Sequence, residues 1–198
     1  MNEAFQDNLQ LFTRAVSHQD WETAEKAARS LLRLAPESAG LHYNLGLVLK
    51  HKGKLEDASS AFRSALNMDK THQKARFELG CILTDQDKLQ EALSCFTGYI
   101  ATNADDEDAL LNAARIALRL GDLDLASQYA SRLIRAGGDQ LLLQAELSRE
   151  EGDVQAMLHQ LKQAVRHDPG LKAAALKIAT QGAAGRMPLD ANCFLRSD

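Results

Sequence analysis

Residues 39–72 have the sequence AGLHYNLGLVLKHKGKLEDASSAFRSALNMDKTH, and this pattern recurs along most of the chain. The central alanine of the stretch, Ala58, has counterparts at Ala24, Ala92 and Ala126, with 34 residues from each alanine to the next. Self-similarity at a fixed period of about 20 to 50 residues is typical of proteins that stack small units, each too small to bury its own apolar face. The chain is therefore predicted to be a repeat protein.

Each repeat is predicted to form two helices. In the quoted stretch, Leu41, Leu45 and Leu49 have the spacing of one face of an amphipathic helix. The same spacing resumes after a break at residues 51–54, where glycine allows the left-handed geometry that ends a helix. Aligned on the recurring alanine, the repeats cover 5–38, 39–72, 73–106, 107–137 and 138–171, the fourth being three residues shorter.

Small residues recur where the two helices of a repeat must approach each other closely. They are Gly46, Gly80, Ala114 and Ala145 in the first helices, and the recurring alanines in the second. Large apolar residues are predicted to open each second helix: Trp21, Leu55, Leu89, Leu123 and Val154.

Three segments of the second repeat carry a family resemblance: Tyr43–Gly46, Gly53–Ala58 and Phe62–Leu66. They resemble a tetratricopeptide repeat (TPR), and the match covers about residues 5–171. The resemblance implies an all-α fold, an alpha-alpha superhelix or solenoid of antiparallel helix pairs, in which the first helices line a concave groove. It implies no catalytic activity.

The later repeats depart from the pattern. The junction Ile134–Asp139 is shortened and contains two glycines, which predicts a hinge or kink. In the fifth repeat Met157 replaces the recurring alanine, and Gln144 and Ser148 replace leucines, so its core is predicted to be the weakest. Gly98 lies inside a second helix and predicts a soft point, since glycine costs about 1 kcal/mol there relative to alanine.

A capping helix is predicted at residues 171–181, because apolar residues continue along one helical face beyond Pro169. Residues 5–181 are thus expected to form a single TPR array. The final residues, 182–198, have no periodicity and are expected to be a flexible tail, as chain termini commonly are.

Composition excludes several classes of protein. No run of apolar residues approaches the roughly 18 needed to span a membrane, so a membrane association is not expected. The formal charge is -4 and no basic stripe is present, which argues against nucleic acid as a partner. The three cysteines lack the spacing of a disulfide framework or zinc site, and no export signal precedes the repeats, so we expect a cytoplasmic protein with free thiols.

No catalytic, cofactor or metal site is predicted. The six histidines lack metal-ligand spacing, and no phosphate-binding loop or nucleophile motif is present. The acidic run 105–108 is interpreted as the start of a helix, where carboxylates bind free backbone N–H groups. Lys50, Lys52 and Lys54 are interpreted as a solvated loop.

The predicted functional surface is the groove. In the TPR arrangement the fifth residue of each first helix points into the concave face, and all five of these residues are apolar: Leu9, Tyr43, Phe77, Leu111 and Leu142. Leu47 and Cys81 widen the series, while Asn44, Asn112 and Arg115 place hydrogen-bond donors beside it. Such a surface is typical of sites that bind a helix or an extended peptide.

Three functions fit this pattern. The first is a non-catalytic adaptor or chaperone-like scaffold that binds an apolar peptide or helix of a partner protein. The second is a self-associating protein, such as a homodimer sealed through the groove, and the third is the targeting module of an enzyme complex. Neighbouring first helices could also bury the apolar series against each other. The TPR clamp for C-terminal carboxylates is not matched, because Leu9, Thr13 and Glu78 stand at three of its five positions.

Overall fold

The computed structural model of the chain describes residues 3–134 and 137–180. These ranges contain eleven α-helices and a 3-10 turn at Pro169–Leu171, and they contain no strand. The helices are α1 (Glu3–Ser17), α2 (Trp21–Leu34), α3 (Ala39–His51), α4 (Leu55–Met68), α5 (Gln73–Asp85), α6 (Leu89–Ile100), α7 (Glu107–Arg119), α8 (Leu123–Ala130), α9 (Gly138–Glu150), α10 (Val154–His167) and α11 (Lys172–Thr180). The prediction of an all-α fold built from tandem helix pairs is confirmed.

The helix pairs begin and turn where the repeat pattern predicts. Each second helix starts at its predicted large residue: Trp21, Leu55, Leu89, Leu123 and Val154. One residue in the turn between the two helices of each pair has a left-handed backbone: Gln19, Gly53, Asp87, Gly121 and Gly152. This conformation reverses the chain directly after a helix. The short turns therefore make the two helices of each pair run antiparallel.

Side chains at the helix starts satisfy backbone N–H groups that have no partner within the helix. At six starts the residue before the helix accepts a hydrogen bond from the N–H three residues later: Asp20, Ser38, His72, Asp106, Asp122 and Asp153. Asp106, in the acidic run, accepts from the N–H of Ala109 at 3.0 Å. The interpretation of that run as a helix start is confirmed.

The chain divides into two compact units, one within Met1–Tyr99 and the other within Ile100–Asp198. In the N-terminal unit, Gly46 of α3 faces the ring of Phe62 of α4, and a Cβ added to Gly46 would lie 2.6 Å from that ring. The next pair repeats this contact, since a Cβ at Gly80 would lie 3.0 Å from Phe96. The small residues thus let the helices of a pair approach closely, as their recurrence predicts.

In the C-terminal unit, α11 closes a core that it shares with α9 and α10. Met157 and Leu161 of α10 have no exposed surface, and they pack in one cluster with Ala175 and Ile178 of α11. Capping helices are needed in repeat proteins because the last repeat otherwise exposes its apolar face.

The shortening of the fourth repeat falls in its second helix. Helix α8 has 8 residues, whereas α4 and α10 have 14 each. The predicted hinge at Ile134–Asp139 includes residues 135 and 136, which lie outside the described residues, as does the predicted flexible tail 182–198. The single array over residues 5–181 stays a prediction.

Lys52 and Lys54, which follow α3, bind carboxylates of α2. The interpretation as a solvated loop is wrong for Lys52, which is half-buried, whereas Lys54 is exposed. The Lys52 ammonium donates to Glu25 at 2.7 Å and also to Glu22, and only 15% of the Lys52 side chain is exposed. Lys54 donates to the same Glu25 carboxylate at 3.2 Å, and Arg29 at 3.0 Å. Glu25 itself is buried, with 8% of its surface exposed.

This cluster should make stability depend on pH. Hydrogen bonds from Lys52, opposed by burial and reinforced by Arg29 and Lys54, lower the pKa of Glu25 from 4.5 to about 2. Because the folded-state pKa lies below the unfolded value, Glu25 stabilises the fold fully above pH 4.5 and loses this effect as pH falls towards 2. Near neutral pH we expect Glu25→Gln to lose about 2 kcal/mol of unfolding free energy in urea titrations.

The control variant is Glu56→Gln, at an exposed position of α4. It should stay within about 0.5 kcal/mol of the wild type at every pH, as surface substitutions generally do. The deficit of Glu25→Gln should shrink progressively below pH 4.5. An equal deficit at neutral and acidic pH would show that the carboxylate charge is not what stabilises the cluster.

Candidate protein-binding surfaces

The predicted groove residues lie on the first helices of both units. In the N-terminal unit they are Leu9 on α1, Tyr43, Asn44 and Leu47 on α3, and Phe77 and Cys81 on α5; in the C-terminal unit they are Leu111, Asn112 and Arg115 on α7, and Leu142 on α9.

Helices α3 and α5 are joined by an ion pair in the N-terminal unit. The Lys50 ammonium of α3 donates to Glu78 of α5 at 2.7 Å, which places these two helix faces side by side. Tyr43 and Leu47 precede Lys50 by seven and three residues and so share its face, while Cys81 lies one turn beyond both Phe77 and Glu78. We name Tyr43, Leu47, Phe77 and Cys81 the α3–α5 face. All four residues are half-buried.

The two aromatic rings of the α3–α5 face are held by other rings behind them. The Tyr43 ring centroid lies 4.9 Å from that of His72 and 5.8 Å from that of Phe62. Phe77 packs edge-on against Phe96 at 5.5 Å and against Tyr99 at 5.2 Å. Rings fixed in this way present a rigid apolar surface, and rigid side chains lose little conformational entropy when a partner binds.

The charged groups beside this surface, Lys50 and Glu78, form an ion pair that has no net charge. Burial of Lys50 disfavours its charge, but the hydrogen bond and charge of Glu78 outweigh this and raise the pKa of Lys50. Burial, together with the Glu78 carboxylate, also raises the pKa of Tyr43, so its hydroxyl stays neutral. The apolar side chains are thus flanked by a bonded ion pair rather than by a net charge.

On α1, Leu9 is 37% exposed and lines a shallow concavity of the same helix with Gln10, Thr13, Arg14 and Ser17. Leu11, on a different side of the helix, is 45% exposed. Leu9 therefore offers an apolar contact on the surface of the first helix.

In the C-terminal unit the predicted residues differ in their accessibility. Leu111 is half-buried, but the Asn112 amide donates to the carbonyl oxygen of Asp108 at 2.8 Å, and Arg115 donates to Asp139 at 2.6 Å. Leu142 is 6% exposed and belongs to the core cluster that α11 closes. The apolar series predicted for the groove is therefore not exposed at Leu142, because α11 fills that part of the unit.

A cavity of about 550 Å³ lies among α7, α9 and α11, and we name it the α7–α9–α11 cavity. Its charged lining consists of Arg115, Arg119, Asp139, Glu146, Arg149 and Lys177. Of these, sequence reasoning identified only Arg115 as a candidate. Lys177 is exposed on α11, and the sequence pattern does not show which other side chains surround it.

The described part of the chain contains no cluster of three or more histidine, cysteine, aspartate or glutamate residues that could hold a metal ion. Three of its histidines have structural contacts: His42 bonds to the carbonyl oxygen of Pro36, His51 stacks on Trp21 at 4.3 Å, and His72 caps α5. Burial raises the pKa of the Cys95 thiol, which disfavours the reactive thiolate. None of the described helices is long and apolar enough to cross a bilayer.

A family model, Tetratricopeptide repeat, matches residues 9–75 and 77–140. A comparison with functionally curated proteins finds no match.

Three solved structures illustrate what this chain is similar to. The crystal structure of MamA protein is 19% identical with a TM-score of 0.77, over 88% of this chain and 96% of that one. YrrB, a TPR protein with an unusual peptide-binding site, is 19% identical with a TM-score of 0.77, over 85% and 88%. Pseudomonas aeruginosa pilF is 21% identical with a TM-score of 0.70, over 90% and 82%. At these identities the similarity establishes the fold.

Proposed function

The chain belongs to the tetratricopeptide repeat family, and we propose that its α3–α5 face binds an apolar helix or extended peptide of a partner protein. Proteins of this family are generally non-catalytic scaffolds for protein interactions, which supports a scaffold role for this chain. The peptide-binding site of YrrB gives a precedent within the fold. The proposed role is that of an adaptor or chaperone-like protein.

The observation that carries the proposal is the arrangement of four half-buried side chains on two adjacent first helices. Tyr43 and Phe77 are anchored by the rings behind them, and Leu47 and Cys81 extend the apolar surface by one helical turn. Rigid aromatic anchors surrounded by apolar contacts are typical of the residues that dominate binding energy at protein interfaces. The Lys50–Glu78 pair at the edge supplies polar groups that can set the register of a bound segment.

The test is to select peptides from a random display library with the full chain, and to measure their affinities for variants by fluorescence anisotropy. Among the selected peptides, those rich in apolar residues should bind the double variant Tyr43→Ser/Leu47→Ser at least about tenfold more weakly than the wild type. The reason is that the loss of interface anchors commonly costs about 2 kcal/mol or more of binding free energy. The variant must retain the helical circular-dichroism spectrum of the wild type.

The matched control is Leu32→Ser/Leu66→Ser, which removes two half-buried leucines from the second helices α2 and α4. It should lower stability in a similar way, because its leucines are also half-buried, but it leaves the α3–α5 face intact. Its affinity should therefore equal that of the wild type. Equal losses for both double variants would contradict the proposal. The oligomeric state of each variant is measured in parallel by light scattering. If the wild type were a dimer and only Tyr43→Ser/Leu47→Ser dissociated it, the α3–α5 face would bind a second copy of the chain rather than a partner protein.

Phe77 is less suitable as a first test. Its ring packs edge-on against Phe96 and Tyr99, so a charged substitution there would disturb the packing of the unit as well as its surface. The substitutions at Tyr43 and Leu47, compared with their control, separate these two effects.

A further inference from the structure

Helix α1 exposes the face that the following first helices bury. Leu11 stands 34 residues before Leu45 and 68 before Leu79; those two leucines are 6% and 3% exposed, whereas Leu11 is 45% exposed. The corresponding face of α3 is covered by the preceding helix α2, since Val48 packs in one cluster with Ala24. Helix α1 is the first helix in the described part of the chain, so no earlier second helix lies on its face.

Charged residues of opposite sign flank Leu11 on this face. Asp7 precedes Leu11 by four residues and Arg14 follows it by three, so the three side chains lie on one side of the helix, and all three are exposed. The residues at the matching positions of α3, Leu41 and Val48, are 9% and 2% exposed. Helix α1 thus keeps the central leucine and carries a carboxylate and a guanidinium in place of the buried apolar residues on either side. We name Asp7, Leu11 and Arg14 the outer face of α1.

The outer face of α1 has groups available to a partner. Within residues 3–134 and 137–180, the Asp7 carboxylate and the Arg14 guanidinium form no hydrogen bond or ion pair. A concavity of about 320 Å³ lies beside Leu11 and Arg14, between α1 and the start of α2, and gives room for a side chain of the partner. The dipole of α1 favours a carboxylate before a cation along the helix, but it gives no reason to keep an exposed leucine between them.

This face is complementary to a second copy of itself. A two-fold axis at Leu11 sets two α1 helices antiparallel, so Asp7 lies on the same side of the axis as Arg14 of the second copy. At 1.5 Å per residue, the two residues are about 6 Å and about 4.5 Å from the axis, and an arginine side chain easily spans this difference. The symmetry forms the ion pair twice and brings the two Leu11 side chains together at the centre.

We propose that the outer face of α1 pairs with the same face of a second copy of the chain, in a two-fold symmetric dimer in which Asp7 binds Arg14 of the second copy. The interface consists of two leucines and two ion pairs at the surface, so the dimer is weak and reversible, with a dissociation constant on the order of 0.1 mM. It shares no residue with the α3–α5 face and forms whether or not that face binds a peptide.

Sedimentation velocity of the full chain between about 10 µM and 1 mM tests the proposal, because the wild type should pass from monomer to dimer in this range. Asp7→Arg and Arg14→Asp each place like charges opposite each other at both contacts, so each should weaken the dimer at least about tenfold. The double variant Asp7→Arg/Arg14→Asp restores opposite charges across the axis and should dimerise like the wild type.

An equimolar mixture of the two single variants tests whether the partner is a second copy. The Asp7→Arg chain has arginine at both positions and the Arg14→Asp chain has aspartate at both, so the mixture should form a heterodimer although neither variant dimerises well alone. Leu11→Ser keeps both charges and should weaken the dimer about tenfold, since it removes the apolar centre. The control is Asp57→Arg, at an exposed position of α4, which changes the charge as Asp7→Arg does and should leave the dimer unchanged.

The proposal is overturned if the wild type stays a monomer at about 1 mM, if the single charge reversals leave its dimer intact, or if neither the double variant nor the mixture restores association. A dimer that Tyr43→Ser/Leu47→Ser dissociates and the α1 variants do not would also overturn it, since the contact would then lie on the α3–α5 face. Each variant must keep the helical circular-dichroism spectrum of the wild type. If a charge reversal does not, Leu11→Ser decides, and a dimer that it leaves unchanged overturns the proposal.

Discussion

Replacing Phe62 by alanine is expected to lower the free energy of unfolding by about 3–5 kcal/mol. The Phe62 ring has no exposed surface, covers Gly46 of α3 and lies 5.8 Å from the ring of Tyr43. Its removal leaves a cavity at the contact that holds α3 and α4 together. Urea titrations followed by the fluorescence of Trp21, the only tryptophan in the sequence, measure the loss in this unit.

Met68→Ala is the control for Phe62→Ala on the same helix. Met68 is 49% exposed, so its truncation should change the unfolding free energy by less than about 0.5 kcal/mol. If the Phe62→Ala and Met68→Ala variants unfolded at the same urea concentration, the close contact between Gly46 and Phe62 would not be a stabilising feature of the pair.

The second large effect is expected in the C-terminal unit, where Met157→Ala should lose about 2–5 kcal/mol. The repeat pattern alone suggests the opposite, because alanine is the residue that recurs at this position in the other repeats. In the structure, however, Met157 is fully buried in the cluster that includes Leu161 of α10 and Ile178 of α11. The cluster is packed around the longer side chain, so alanine would leave a void rather than restore an ideal repeat.

Gln155→Ala, at an exposed position of the same helix, is the control for Met157→Ala and should be within about 0.5 kcal/mol of the wild type. Unfolding is followed by far-ultraviolet circular dichroism, because the single tryptophan lies in the other unit. A Met157→Ala variant as stable as the wild type, or more stable, would mean that the pattern of the family describes this position better than the packing of this chain does.

Local features of the fold could be read from the sequence because they depend on a few neighbouring residues. The starts of the second helices follow from apolar spacing. The left-handed residues of four of the five breaks, all but Gln19, are glycine or aspartate, which tolerate a positive φ. The contact of Gly46 with Phe62, and its repetition at Gly80 and Phe96, follows from the repeat period in the same way.

Contacts between repeats could not be read from the period. The bonds of Lys52 to Glu25 and of Lys50 to Glu78 join residues 27 and 28 positions apart, and no local rule selects these partners among the many charged residues. Gly98 is a related case: a Cβ there would lie 2.7 Å from the Arg76 guanidinium, so the glycine makes room for that side chain rather than only weakening its helix.

The candidate surfaces also combine features that the repeat pattern predicts with features that only the packing of the helices determines. The positions of Tyr43 and Phe77 on one face follow from register within the repeat, and the structure places α3 and α5 side by side through the Lys50–Glu78 bond. Leu142 has the same register but is buried, because α11, which lies outside the repeat pattern, packs into that core. The charged side chains of the α7–α9–α11 cavity come together only through that packing, and periodicity carries no signal for it.

Hydrogen exchange in the presence of a bound peptide tests most directly whether the first helices carry the binding function. The peptide is one that the wild type binds and Tyr43→Ser/Leu47→Ser does not. Binding stabilises the elements that it contacts against local opening, so the amides of α3 and α5 should exchange more slowly in the complex, while those of α2 and α4 keep their rates. Slower exchange confined to α2 and α4, or no change in α3 and α5, would contradict the assignment of the α3–α5 face.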